Sequence, residues 1–159
     1  MENLTIDPEK CTACRACELA CSYINEGFFA PSLSRIRLVR FMDQGLNVPV
    51  VCVNCVRPAC VEVCPNESIY IDRSGPVVQV RVNDEECTGC GECVKACPFG
   101  AVEMHPDKEV AYLCDLCGGE PACVASCIYG ALTFRPKSSL AAQKRRTTAE
   151  SFALSARAL

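Results

Sequence analysis

The chain has 159 residues, sixteen of them cysteine, and a formal net charge of −3. This length suits one compact domain with a tail, and the cysteine content excludes an ordinary globular composition. Residues 1–7 lack the basic and apolar regions of a secretory signal, which disfavours a disulfide scaffold and predicts a cytoplasmic protein. No apolar run approaches the roughly 18 residues that span a bilayer, so we expect no direct membrane insertion.

The cysteines fall into four groups of four, and every cysteine belongs to one of them. Groups one and three have the spacing C-x2-C-x2-C-x3-C, group two has C-x2-C-x4-C-x3-C, and group four has C-x2-C-x5-C-x3-C. In chain order the groups are Cys11, Cys14, Cys17 and Cys21; Cys52, Cys55, Cys60 and Cys64; Cys87, Cys90, Cys93 and Cys97; Cys114, Cys117, Cys123 and Cys127.

This spacing is typical of [4Fe-4S] clusters. In the bacterial C-x2-C-x2-C-x3-C run, three thiolates bind one cluster and the fourth binds a neighbouring cluster. We expect the fourth cysteine to open a helical turn that directs it to that neighbour. Structural zinc sites take their ligands as separated pairs, which leaves no role for a third cysteine directly after a C-x2-C pair. The sequence therefore predicts four [4Fe-4S] clusters, with a zinc-binding interaction module as the alternative.

An internal repeat organises the four groups. The segment before Cys11 matches the segment before Cys87, and the two copies are residues 4–71 and 80–134 of a domain that covers residues 1–134. Short alternating stretches follow the fourth cysteine of three groups and predict strands: Ile69-Tyr70-Ile71, Val102-Glu103-Met104 and Leu132-Thr133-Phe134. The predicted fold is α+β, a duplicated bacterial two-cluster ferredoxin-like fold whose small β-hairpins and short helices surround the clusters.

The first copy carries an insertion at about residues 28–45. Glu26 stands where the other groups have an apolar residue, and residues 35–51 predict a β-hairpin with a glycine turn. We expect its arginines to face solvent, as an exposed cationic face or as a docking face for a partner. These arginines are Arg35, Arg37 and Arg40.

The order of the groups indicates which of them share clusters. Groups two and three enclose a contiguous unit, so we pair the inner groups with each other and the outer groups with each other. Pairing one with two and three with four stays open, and either pairing predicts a line or bent line of clusters. The predicted ligand sets are Cys11, Cys14, Cys17 and Cys127 (cluster 1); Cys114, Cys117, Cys123 and Cys21 (cluster 2); Cys52, Cys55, Cys60 and Cys97 (cluster 3); Cys87, Cys90, Cys93 and Cys64 (cluster 4).

The chain ends in a basic tail, residues 135–159, with a formal charge of +5 against −8 for residues 1–134. Residues 147–150 form a capping-box pattern, and an apolar stripe after it predicts a docking helix over residues 148–159. A frayed end is the alternative, because so short a helix is marginal alone. Four oxidised clusters would add about −8 to the acidic part, which favours a positively charged partner surface and argues against nucleic acid.

No catalytic motif accompanies the cysteines. The chain lacks a dinucleotide fingerprint, a phosphate loop and a Ser/His/Asp arrangement. Its one histidine, His105, lies in a turn-like stretch and is expected at the surface. A flavin or pterin would belong to another subunit. We therefore expect an electron carrier with no catalytic site; a redox sensor is disfavoured because no DNA-binding helix pair is evident.

The four cysteine groups, in this order, resemble the four-cluster iron–sulfur subunits of the dimethyl-sulfoxide-reductase and formate-dehydrogenase type, over roughly residues 4–134. Cys14–Cys21 and Ser34–Arg37 are most similar to the small ferredoxin subunits of tungsten aldehyde oxidoreductase complexes. The resemblance implies the same outer and inner pairing. It also implies electron transfer between a tungsten or molybdenum catalytic subunit and a flavin-containing subunit linked to NAD. A formate-, sulfur- or hydrogen-oxidising complex is the alternative, and end-to-end self-association is a further hypothesis.

Overall fold

The computed structural model describes residues 2–136 and Arg145. Over residues 2–136 the chain forms short helices and small sheets, as the cysteine spacing predicts. The predicted tail helix over residues 148–159 lies outside the described residues. The α-helices of the described range are α1 (Ala16–Glu26), α2 (Ala59–Glu62), α3 (Glu92–Ala96) and α4 (Ala122–Ala125). Its strands are β1 (Glu2–Ile6), β2 (Ile36–Phe41), β3 (Leu46–Val51), β4 (Ile69–Asp72), β5 (Gln79–Val82), β6 (Glu103–Met104), β7 (Ala111–Tyr112) and β8 (Leu132–Pro136).

The strands of the described range pair into four two-stranded antiparallel sheets. Three of the sheets join strands that are neighbours in sequence: β2 with β3, β4 with β5, and β6 with β7. The fourth pairs β1 with β8, and the hydroxyl groups of Thr5 and Thr133 lie 2.6 Å apart across it. This last pairing brings the start of the first copy to the end of the second, so the outer cysteine groups meet.

The helices also pair outer with outer and inner with inner: α1 packs on α4, and α2 packs on α3. The second residue of each helix is the third cysteine of its group, namely Cys17, Cys60, Cys93 and Cys123. The expectation that the fourth cysteine opens a helical turn is therefore wrong. Because one turn takes 3.6 residues, the fourth cysteine follows a turn later, inside α1 or just beyond the end of α2, α3 and α4.

The core consists of apolar side chains and cysteines together. Ile69, Val102 and Leu132, which begin the three predicted strand segments, are each 2% exposed, and those strands are confirmed as β4, β6 and β8. In the first copy, α1 continues to Glu26 and the buried Ile36 of β2 joins the core instead. Cluster-binding thiols and apolar packing thus occupy the same space.

The inserted hairpin is confirmed, with Phe41 of β2 opposite Leu46 of β3. The expectation that its arginines face solvent is wrong for two of them and right for Arg40, which is exposed. Arg35 lies 3.3 Å from Asp115, and Arg37 binds Glu103 through two nitrogens. The hairpin covers the second copy of the repeat, whose carboxylates pair with these two arginines.

The expectation that His105 lies at the surface is also wrong. The side chain is 5% exposed, and its Nε2 lies 3.5 Å from the carboxylate of Glu26 at the end of α1. Its Nδ1 accepts hydrogen bonds from the amides of Asp107 and Lys108, each at 3.2 Å. His105 is buried because the extended α1 covers the turn between β6 and β7.

Candidate metal centres

One cavity lies beside the β1–β8 sheet, where the first and last strands of the described range meet. It has a volume of about 360 Å³ including its open mouth, and its walls include apolar side chains such as Leu38 and Leu132. Four thiols line it, those of Cys11, Cys14, Cys17 and Cys127. Three come from one group of the first copy and the fourth from the end of the second copy.

Two further cavities of similar size lie where α2 packs on α3. They measure about 330 and 290 Å³, again including their open mouths. The first is lined by Cys52, Cys55, Cys60 and Cys97. The second is lined by Cys64, Cys87, Cys90 and Cys93. In both, the inner groups exchange their fourth cysteine.

Cys21 approaches the remaining thiols of group four, since α1 packs on α4. Burial raises the pKa of Cys114, Cys117 and Cys123, and the negative charge of a Cys21 thiolate raises each of them further. Such an effect requires proximity, because the Coulomb energy falls with distance. The structure therefore places Cys21 near the thiols of group four, and the assignment of the sixteen cysteines to four ligand sets stays a prediction.

Burial keeps several of the thiols protonated in the absence of a metal. Burial raises the pKa of Cys52 and Cys123 to about 12, and that of Cys17 and Cys93 to about 11. Such thiols stay protonated at neutral pH unless iron replaces the proton, since the thiolate is the form that binds metal. The donor chemistry of each set thus fits a cluster with thiolate ligands.

Backbone amides point at several of the sulfurs. Hydrogen bonds of this kind stabilise negative charge on sulfur and are one of the means by which a protein sets the potential of a cluster. The Ser68 hydroxyl also lies 3.2 Å from Cys64 Sγ. Sulfur atoms that accept from an amide at 3.3 or 3.4 Å are those of Cys21 (from Arg35), Cys97 (from Ala101), Cys87 (from Ala111) and Cys114 (from Leu116).

The four sets lie in an order that differs from the order of the groups along the chain. Negative charge on Cys17 contributes to the raised pKa of the largely buried Cys123. Negative charge on Cys52 contributes in the same way to the raised pKa of Cys114. The set with Cys17 therefore neighbours the set with Cys123, which in turn neighbours the set with Cys52. The short helices α2 and α3 connect that third set to the fourth.

Solvent reaches the two outermost sets most directly. Of the sixteen cysteines, all within the described range, only Cys14 and Cys90 are exposed. Cys14 belongs to the first set in this order and Cys90 to the last. The two intermediate sets contain no exposed cysteine, and Cys52 and Cys114 in them are buried.

The described residues show no group of three His, Cys, Asp or Glu side chains placed to hold a single metal ion. The thiols of three sets line cavities of about 290 to 360 Å³, volumes that include the open mouths. In the part of the chain that the structure describes, no helix is both long and apolar enough to span a membrane.

Three residues next to the thiols were missed in the sequence. Glu18, directly after Cys17, is 3% exposed and accepts a hydrogen bond from the Leu38 amide. Arg35 and Asp115 form an ion pair beside Cys21 and Cys117. Glu18 lies between two cysteines of group one and Asp115 directly follows Cys114, but nothing near Arg35 in the sequence indicates its place, because the ion pair joins residues from different copies.

Small antiparallel sheets and short helices around cavities of four thiols define a ferredoxin-like [4Fe-4S] protein. A family model described as a 4Fe-4S dicluster domain matches residues 44–137, and a second, described as a 4Fe-4S binding domain, matches residues 4–23. The chain belongs to the 4Fe-4S dicluster domain family and carries several [4Fe-4S] clusters. Each cluster, when bound, supplies a one-electron redox couple.

Known proteins similar to the chain include components of reductases. The polyferredoxin-like subunit of the aliphatic sulfonate oxidoreductase of Pyrococcus furiosus is 43% identical over 73% of this chain and 65% of its own. One subunit of the tetrathionate reductase of Archaeoglobus fulgidus is 36% identical over 70% of this chain and 53% of its own. The thiosulfate reductase electron transfer subunit PhsB of Salmonella typhi is 36% identical over 70% and 59%. The chain thus spans about half to two thirds of the length of these relatives.

A solved structure has a similar fold. A chain of the active site complex BamBC of benzoyl coenzyme A reductase, as isolated, matches with a TM-score of 0.50 and 27% identity. The match covers 84% of this chain and 76% of that one. The ferredoxin-like arrangement therefore also occurs in an assembly that contains an active site.

Proposed function

We propose that the chain is a non-catalytic electron-transfer subunit that holds four [4Fe-4S] clusters. The observation that carries the proposal is that cysteines distant in sequence, such as Cys11 and Cys127, line the same cavity, and that three such cavities have similar volumes. The proposed ligand sets are those predicted from the spacing, with outer groups exchanging one cysteine and inner groups exchanging one. The chain's own part is to hold the clusters close together, exclude water with apolar walls and donate amides to sulfur.

The order of the sets supports a path with two ends. Cys14 and Cys90 are exposed, so electrons would enter and leave there, while the sets with Cys52 and Cys114 lie between. The acidic residues 1–134 favour a partner with a positively charged surface at one of these ends. A cytoplasmic location and residues 135–159 as a separate basic tail belong to the same proposal.

For partners, we propose a tungsten or molybdenum catalytic subunit and a flavin-containing subunit, with an aldehyde as the substrate of the complex. The resemblance of the Cys14–Cys21 stretch to aldehyde oxidoreductase ferredoxins supports this choice. A complex that acts on sulfur compounds is the second candidate, since relatives named for sulfonate, tetrathionate and thiosulfate support it. End-to-end self-association of the chain through its two exposed sets is a further part of the proposal.

The test is anaerobic purification of the tagged chain with whatever subunits accompany it, followed by metal analysis and EPR spectroscopy. Oxidation of an aldehyde with water to the acid releases two electrons and two protons, so an aldehyde should reduce the clusters and NAD should reoxidise them. Reduction of the clusters by a sulfonate, or reoxidation of dithionite-reduced clusters by tetrathionate or thiosulfate, without reduction by any aldehyde would favour the second candidate. A complex with neither tungsten nor molybdenum would contradict both.

A further inference from the structure

One ion pair of the structure lies directly beside a set of thiols. The amide of Arg35 donates to Cys21 Sγ at 3.3 Å, and its guanidinium Nη1 lies 3.3 Å from Asp115 Oδ2. The other carboxylate oxygen of Asp115 accepts from the amide of Cys117 at 3.1 Å. Arg35 and Asp115 therefore bridge two thiols of one proposed ligand set, which come from different copies of the repeat.

The guanidinium of Arg35 is only partly neutralised there. Its side chain is 21% exposed, and its buried Nε has no hydrogen-bond partner among the described residues. A cation in this position stabilises negative charge on the thiolates and on any cluster they hold, and burial strengthens the effect because solvent screens it less.

The neighbouring set has the opposite charge beside it. Glu18 directly follows Cys17 and is buried, and its carboxylate accepts a hydrogen bond from the amide of Leu38 at 2.9 Å. The cation that pairs with Glu18 is Arg15, whose side chain is half exposed and so more strongly screened by water. The first set in the proposed path thus has a buried carboxylate beside it, and the second set has a guanidinium.

We infer that Arg35 is a positioning residue for electron transfer and raises the reduction potential of one cluster, the one held by Cys21, Cys114, Cys117 and Cys123. Asp115 holds the guanidinium in place and offsets part of its charge. This inference rests on the proposed function. Adding one electron to the oxidised cluster adds one negative charge, so a nearby cation favours the reduced form. The chain would thereby bias electrons toward the second position of the path.

The experiment is an anaerobic redox titration of the full chain, loaded with clusters and followed by EPR, with dithionite as the reductant. The variants are Arg35→Gln, Arg35→Lys and Asp115→Asn, with Arg37→Gln as the matched control. Arg37 is also half-buried and ion-paired, but its partners are Glu103, Tyr112 and carbonyl groups, none of them in a cysteine group. Cys21→Ser identifies the signal of the cluster concerned.

Arg35→Gln should lower the potential of that one cluster, so that its reduced fraction relative to oxidised falls about tenfold at fixed potential, a shift of about 59 mV. Asp115→Asn, which keeps the hydrogen-bond acceptor for the amide of Cys117, should raise the potential of the same cluster. Arg35→Lys keeps the positive charge and should have a potential close to that of wild type. Unshifted potentials in both variants, or shifts of the same sign, would overturn the inference. If Arg35→Gln does not load clusters, the Asp115→Asn variant alone tests the inference: a raised potential supports it, and a lowered or unchanged potential contradicts it. A wild-type chain that never holds four clusters would instead contradict the proposed function.

Discussion

Cys11 and Cys127 line one cavity, although they lie at opposite ends of the described range. The β1–β8 sheet brings them together, and its register places Leu4 opposite Phe134. Short spacing within a group cannot produce this contact, because it depends on the last strand of the second copy. In the proposed ligand sets, this contact determines which thiols share a cluster and so the order of the electron path.

The pairing predicts which cysteine variants lose the same cluster. Cys127→Ala and Cys11→Ala should lose or alter the same EPR component, because both remove a ligand from one set. Cys123→Ala should share its altered component with Cys21→Ala. The measurement is EPR of the reduced chain with iron analysis for each variant. If Cys127→Ala altered the component lost in Cys123→Ala, the groups would pair differently from the proposal.

A second prediction concerns backbone strain between the cysteines of the two short groups. Ala13 and Gly89 occupy equivalent positions and have φ angles of 59° and 69°. A side chain costs about 1–2 kcal/mol in this left-handed region, so Ala13→Gly should stabilise the chain by about 0.5–1 kcal/mol. A Cβ at position 89 would lie 2.5 Å from the carbonyl oxygen of Glu109, so Gly89→Ala should destabilise it by about 2 kcal/mol or more.

These two variants are compared through the rate at which cluster absorbance disappears in guanidinium chloride under argon. Ala13→Gly should slow the loss and Gly89→Ala should accelerate it. Equal rates for the two variants would show that the left-handed conformation at these positions is not part of the folded state.

A third prediction concerns pH and Tyr112. Burial and the hydrogen bond to Glu103 raise the pKa of this buried phenol from 10 to about 12. The unfolded chain therefore loses this proton at a lower pH than the folded chain. The stabilisation is complete below pH 10 and is lost as pH rises from 10 to about 12, at about 1.4 kcal/mol for each unit of difference in pKa.

Tyr112→Phe should remove this alkaline dependence. The measurement is the resistance of cluster absorbance to denaturant between pH 9 and 12, compared in wild type and variant. Parallel curves for the two proteins would contradict the assigned environment of Tyr112.

The buried His105 gives a fourth prediction. Its Nδ1 accepts from two amides of the turn between β6 and β7, and Met104 and Ala111 of that hairpin line the cavity with Cys90. His105→Ala removes this acceptor, so the free energy of unfolding should fall by about 1–2 kcal/mol. His105→Asn retains a side-chain acceptor and should recover part of the loss. Cluster loss in denaturant is again the measurement, and an Ala variant as stable as wild type would show that the turn does not need this contact.

Local spacing made much of the fold predictable. Four groups of cysteines and the apolar residues after them, such as Ile69 and Val102, are short-range signals, and they correctly predict the small sheets around the thiols. The hairpin of β2 and β3 was predictable for the same reason, since alternation and the glycine turn are local.

The wrong expectations for the arginines and for His105 concern contacts between the two copies. Arg37 meets Glu103 at a sequence separation of 66 residues, and nothing near Arg37 in the sequence indicates that partner. His105 resembled a turn residue because Glu26, which covers it, belongs to a helix of the other copy. The internal repeat shows that the chain contains two units. It does not show which side chains of the two units contact each other, because those contacts depend on how the units pack.

The central claim is that sixteen cysteines hold four [4Fe-4S] clusters in this chain. The most direct test is the amount of iron and acid-labile sulfide per chain in anaerobically purified protein. The account predicts about sixteen of each, the content of four cubanes. About four zinc ions per chain without sulfide would contradict it and would leave a zinc-binding structural module.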